Sequence, residues 1–183
     1  MSDVLFFTLF IAVSLLGARM FSLDCDLGRH LVIGDVILDT MRIPKADLFS
    51  YTMYGEELVP HEWLAQVLFA ISHRIFSLTG VVFLSAIVIA GAFTTVYFDS
   101  LRRSNAPLLS LFIAILAAFA SSLHWLTRPH IFTFFYLAIW IFLLEKKRKT
   151  KNVPLWMFFL IMLFWVNTHG SFIDGFVSLF ADL

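Results

Sequence analysis

A chain of 183 residues that is 60% hydrophobic and 17% aromatic, with 14% charged residues and a mean hydropathy of +0.88, has more apolar surface than a soluble domain of this size can cover. This excludes a water-soluble enzyme and predicts an integral membrane protein. Thirteen basic and thirteen acidic side chains cancel, so net charge points to no nucleic-acid partner, and the single Cys25 excludes an intrachain disulfide.

Residues 4–18, closed by Arg19 and continued to Leu23, reach the roughly 20 residues a helix needs to cross about 30 Å of hydrocarbon, and they form the first predicted span. A cleaved signal peptide fits less well, because Met1-Ser2-Asp3 lacks a positive n-region and no small-residue cleavage site precedes Asp24.

Residues 22–64 are the only long polar interval, and they read as an outer loop of catalytic type. Leu27, Leu31 and Leu38 fall near helical spacing, with Asp26, Arg29 and His30 on a neighbouring face, so residues 26–38 predict an amphipathic helix on the membrane surface. Ile43-Pro44-Lys45 ends it. Residues 49–54 alternate like a short strand entering a turn at Gly55. Pro60 predicts the start of a second surface helix, or the slanted start of the next span, with Leu64, Val67, Leu68, Ile71 and Ile75 as its apolar stripe. Gln66, His73 and Arg74 lie off that stripe, the last two on a solvated face.

Further spans are predicted over 75–98, closed by Arg102 and Arg103, over 107–125, and over the shorter 129–144 and 153–166. Residues 172–183 open a sixth. The expected fold is all-α: one membrane domain over 1–183, a multi-pass bundle of five to six spans, with a large first outer loop carrying two surface helices. Arg102 and Arg103, with the five bases between Lys146 and Lys151, are seven of the thirteen basic residues, and two crossings separate the two groups. The positive-inside rule then puts the N-terminus in the cytoplasm and the 22–64 loop outside, together with the junctions at 124–130 and 167–171.

This topology gathers His30, His61, His124, His130 and His169 near one face with Asp24, Asp26, Arg29, Asp47, Glu62, Arg128 and Asn167. Ionisable groups near membrane depth usually face a cavity, so their convergence predicts a site. Taken singly each has a plainer role: Asp24 and Asp26 marking the interface, Arg128 snorkelling before Pro129, Trp125 and Trp165 in an aromatic belt. The set carries the functional reading.

Asp24-Cys25-Asp26-Leu27-Gly28-Arg29-His30-Leu31, Gly34-Asp35, the run from Ile43 through Thr52, His61-Glu62-Trp63-Leu64, and Trp165-Val166-Asn167-Thr168-His169-Gly170 resemble the N-terminal half of bacterial multi-pass GT-C glycosyltransferases. Protein O-mannosyltransferases and lipid A aminoarabinose transferases are better-known relatives of that class. The resemblance implies transfer of a sugar from a polyprenyl-phosphate donor to a hydroxyl of a glycan, lipid or protein acceptor, on the outer face of a bacterial inner membrane. It implies a carboxylate as general base: Asp26, which has a basic residue three places on at Arg29, or else Asp24. Arg29, His30, Arg128 and His130 are then expected at the donor phosphate, and Asp47, His61, Glu62, Asn167 and His169 around the sugar or acceptor. A divalent metal stays open, as carboxylate and histidine clusters without regular spacing are weak metal signals. Such enzymes are longer, so the chain is expected to be an incomplete N-terminal module. The rival readings are a non-catalytic module that binds a lipid-linked sugar or a partner protein, and a truncated inactive relic. A transporter would show an internal repeat, and none is visible.

Overall fold

The structure, a computed structural model, describes residues 1–16, 20, 26–150 and 152–181. Asp24, Cys25 and Arg19 lie outside the described residues. Helix α1 (Ser2–Leu15) turns Leu5, Leu9 and Val13, four residues apart, into the interior. Helix α2 (Leu27–Thr40) buries Leu27, His30, Leu31, Ile33, Gly34 and Ile37, and stops at Met41, whose φ of 52° is left-handed.

Helix α3 (Trp63–Ser104) is the hub, and α1, α2, α4 and α5 all pack on it. It is broken at Phe76 (φ −132°) and Ser77 (φ 55°, ψ −151°), which divides it into rods over 63–75 and 78–104. The first rod carries α2. The second packs against α1, α4 (Pro107–Ser121) and α5 (Ile131–Thr150) through Ala86, Ile89, Ala90, Phe93 and Tyr97. A short 3-10 turn (Ser122–His124) follows α4. Helix α6 (Leu155–Thr168), a 3-10 turn (Gly170–Phe172) and α7 (Ile173–Ala181) complete the chain, sharing a core of Trp140, Leu143, Phe158 and Trp165 with α5.

Among the described residues two stretches are long and apolar enough to cross a membrane, Trp63–Ser104 and Pro107–His124. Helix α4 turns the small residues Ser110, Ala114 and Ala118 inward and leaves Leu108, Phe112 and Phe119 outward, 77%, 62% and 76% exposed. Small inward residues let helices approach closely, and large apolar side chains on the outside match hydrocarbon better than water. The other apolar helices, Ser2–Leu15, Leu155–Thr168 and Gly170–Leu179, are shorter.

Three local expectations are corrected. Residues 49–54 form no strand, because the Asp47 carboxylate accepts the backbone N–H groups of Phe49 and Ser50 at 2.8 and 2.9 Å and curls the chain. The one bridge in the loop pairs Ala46 with Glu57, and Gly55 takes a φ of 84° between them. Pro60 does not open α3. Its carbonyl accepts from Trp63 N–H at 3.1 Å in a preceding turn, and Glu62 occupies the N-cap position without a side-chain capping bond. Trp125 and Trp165 are core residues rather than a belt, 8% and 0% exposed. Trp165 stacks on Tyr136 at 6.0 Å, and Trp125 packs on Phe93 at the same centroid distance. Arg74 is exposed, as expected of the solvated face, and from there it reaches from α3 to α2 and clamps Asp35 and Asp39 at 2.7 and 2.6 Å.

Candidate functional site

Gly34 sets the distance between the two helices that carry half the site. A Cβ built there would lie 2.2 Å from the Gln66 carbonyl oxygen and 2.8 Å from the Ala70 Cβ, so α2 and the first rod of α3 touch backbone to backbone. This approach brings the Gln66 amide to within 3.4 Å of the His30 Nδ1, and both side chains are 2% exposed. The amide nitrogen can only donate, so His30 Nδ1 accepts and the imidazole is fixed in orientation. The Gln66 Oε1 is buried without a hydrogen-bond partner.

The start of α2, the turn before α3, the turn before α5 and the turn after α6 meet at one end of the bundle. They enclose a cavity of about 230 Å³ lined by Asp26, Arg29, His30, Glu62, Arg128, Pro129, His130 and His169. Arg128 Nη1 lies 3.3 Å from Asp26 Oδ2, joining the α5 approach to α2. His130 Nε2 donates to the His124 carbonyl at 2.6 Å, folding the 124–130 turn back on itself.

On the opposite wall, Glu62 Oε1 stands 3.6 Å from His169 Nε2. The Ser171 backbone N–H donates to His169 Nδ1 at 3.3 Å, and the Thr133 and Ser171 hydroxyls stand 3.1 and 2.7 Å from the same nitrogen. A backbone N–H has no other role, so Nδ1 is the acceptor and the proton of the neutral ring is on Nε2, facing Glu62. Burial raises the Glu62 carboxyl above its ordinary range; His61 and Arg29 oppose that rise and Asp26 adds to it. Burial also lowers His169, helped by His130 and His61 and opposed by Asp174. Both shifts run toward the uncharged form of each group, and burial is the first cause of each.

Of the residues singled out from sequence, Asp26, Arg29, His30, Glu62, Arg128, His130 and His169 line the cavity. His61 is next to it, its ring 4.0 Å from where a Cβ on Gly170 would lie. Asn167 is behind the wall, accepting the Trp63 indole N–H at 2.7 Å and so tying α6 to α3. Asp47 is not a cavity residue. It organises its own loop, and its carboxyl is lowered first by the Ser50 hydroxyl and then by the Ser50 and Phe49 N–H groups. Asp24 lies outside the described residues. Gln66, Thr133 and Ser171 support the site without having been singled out for it. Thr133 had a faint signal, being the one threonine in the apolar opening of α5. Among the described residues no group of three or more His, Cys, Asp or Glu side chains is arranged to hold a metal ion.

No known protein family, curated protein or solved structure matches this chain. Among the described residues, fold and site together define an all-helical protein, with two helices long and apolar enough to cross a membrane and a charged cavity at one end of the bundle.

Proposed function

We propose that this chain is a module of a GT-C type membrane glycosyltransferase, taking a sugar from a polyprenyl phosphate and passing it to an acceptor hydroxyl at the outer face of a bacterial inner membrane. The observation that carries the reading is the cavity: carboxylates, guanidiniums and imidazoles from one helix start and three turns converge on one small polar space in an otherwise apolar chain. Arg29 and Arg128 supply the charge that a departing lipid phosphate requires, with His30 and His130 beside them. A carboxylate must take the acceptor proton as oxygen attacks the anomeric carbon, a role in which the resemblance to GT-C enzymes ranks Asp26 first and Asp24 second. An apolar cavity of about 330 Å³ between α3 and α5, lined by Phe93, Val96, Phe134 and Leu137 among others, offers the kind of surface a polyprenyl tail fits. In this reading α1, α4, α5, α6, α7 and the second rod of α3 are the spans, the N-terminus is cytoplasmic, and α2 with the first rod of α3 lies along the outer surface.

The test is release of labelled sugar from a pool of tritiated decaprenyl-phosphate hexoses, by membranes containing the chain or its Arg29→Ala/Arg128→Ala double variant. The expected result is release by the natural chain, reduced at least tenfold in the double variant. Release equal to that of membranes lacking the chain would refute the reading.

A further inference from the structure

Two carboxylates share the cavity, and their surroundings differ. Asp26 is on the guanidinium wall, its Oδ2 at 3.3 Å from Arg128 Nη1, and its side chain is 46% exposed. Glu62 is on the imidazole wall, its side chain 15% exposed, with one oxygen facing the Nε2 of a histidine whose other nitrogen is already engaged. We propose that Glu62 takes the proton of the acceptor hydroxyl, with His169 as its positioning residue, while Asp26 orients Arg128 toward the donor phosphate. The inference rests on the transfer reaction proposed above and changes which carboxylate handles the proton.

The geometry divides the work between the two oxygens of Glu62. His169 cannot take a proton on Nδ1 without losing the Ser171 N–H, so its Nε2–H faces Oε1 across 3.6 Å, and a closer approach on substrate binding makes the hydrogen bond that fixes the carboxylate plane. Oε2 is left for substrate. In the transfer step a lone pair of the acceptor oxygen forms the bond to the anomeric carbon as the bond from that carbon to the phosphate oxygen breaks. The leaving pair stays on the phosphate. The hydroxyl proton passes to Oε2, giving a neutral carboxyl and a phosphate monoester dianion beside Arg29 and Arg128, and it leaves later to water. Burial suits Glu62 to this task, because a carboxylate raised toward the working pH is a stronger base than an exposed one. The titratable and charged groups around it are Asp26 just before α2, Arg29 and His30 in α2, His61 beside it, Arg128 and His130 from the turn before α5, and His169 after α6; burial shifts its carboxyl most, followed by His61, Arg29 and Asp26.

Two measurements on the full chain in detergent test this. The first is infrared difference spectroscopy of the carboxyl band against pH. A protonated carboxyl titrating above the ordinary carboxylate range is expected, absent in Glu62→Gln and displaced in His169→Ala but restored toward the natural position in His169→Gln, whose amide N–H can take the place of Nε2–H. The second is the decaprenyl-phosphate hexose release assay with its pH profile. Glu62→Gln is expected to lower kcat by about 10²-fold or more with little change in KM. Asp26→Asn is expected to raise KM mainly, and His169→Ala to move the acidic limb of the profile. A Glu62→Gln variant that melts like the natural chain and keeps kcat and pH profile, while Asp26→Asn loses kcat, overturns the inference and leaves the transfer reaction standing. No release by the natural chain sinks the transfer reaction instead. In that case the infrared titration alone decides the Glu62–His169 couple, and an unshifted band in His169→Ala refutes it.

Discussion

Replacing Gly34 by alanine tests the contact that assembles half the cavity. The added Cβ would sit 2.2 Å from the Gln66 carbonyl oxygen, where ordinary contacts begin near 3.4 Å, and 2.7 Å from the Gln66 carbonyl carbon. Both of these atoms are backbone, so no side chain can swing aside, and α2 must lift from α3 by about 1 Å. Overpacking of this kind costs about 1–3 kcal/mol, and the helical preference of alanine over glycine returns about 0.5–1 kcal/mol. The difference, a net loss of up to about 2.5 kcal/mol, is read at roughly 2–4 °C of Tm per kcal/mol for a chain of this size. Gly28→Ala is the internal control, since nothing lies within 4 Å of its Cβ and it sits in the same helix. Thermal unfolding in detergent, followed by tryptophan fluorescence, should place Gly34→Ala below the natural chain and Gly28→Ala level with it or above. The same 1 Å shift moves Asp26, Arg29 and His30, and misplacement on that scale costs about 10²-fold in rate where such groups act in chemistry. If Gly34→Ala unfolds at or above the temperature of Gly28→Ala, the close approach of α2 and α3 is refuted, and so is the site geometry built on it.

Ser77 holds a φ of 55° and a ψ of −151°, a region that only glycine enters freely, at a cost of about 1–3 kcal/mol; Ser77→Gly should therefore raise Tm and Ser77→Val lower it. Arg74→Ala removes two ion pairs to Asp35 and Asp39 from a side chain that is 43% exposed, so Tm should fall only slightly and the fall should shrink in 1 M salt, read as the difference in Tm at low and high ionic strength. Trp63→Phe deletes the 2.7 Å bond to Asn167 and should cost about 1 kcal/mol, with Asn167→Ala adding little in the double variant. The folded carboxyl of Asp47 is lowered, chiefly by the Ser50 hydroxyl, so its hold on the loop is complete above the unfolded carboxylate pKa of about 3.9 and fades as pH falls through the lowered value. Amide exchange at Phe49 and Ser50 should accelerate over that acid range in the natural chain, and at every pH in Asp47→Ala.

The sequence alone determined the elements that rest on local patterning. The spacing of Leu27 and Leu31 marked α2 to within two residues at either end, because an amphipathic helix writes its buried face at three- and four-residue intervals. The apolar runs marked α4, α5 and α6, because backbone groups in apolar surroundings must pair within their own segment. The polar residues of the site were legible as a set, since ionisable side chains are conspicuous in a chain this apolar. The tertiary structure decided what depends on two segments meeting. Residues 49–54 have the alternation of a strand, but Asp47 captures their amides, a local hydrogen bond that alternation does not encode. Trp165 has the composition of a belt residue and is buried by Tyr136 and α7. Asp47 and Glu62 look alike as loop acids, yet one organises a turn in water and the other stands half-desolvated beside His169. Desolvation is a property of neighbours distant in sequence, and no spacing along the chain reports it.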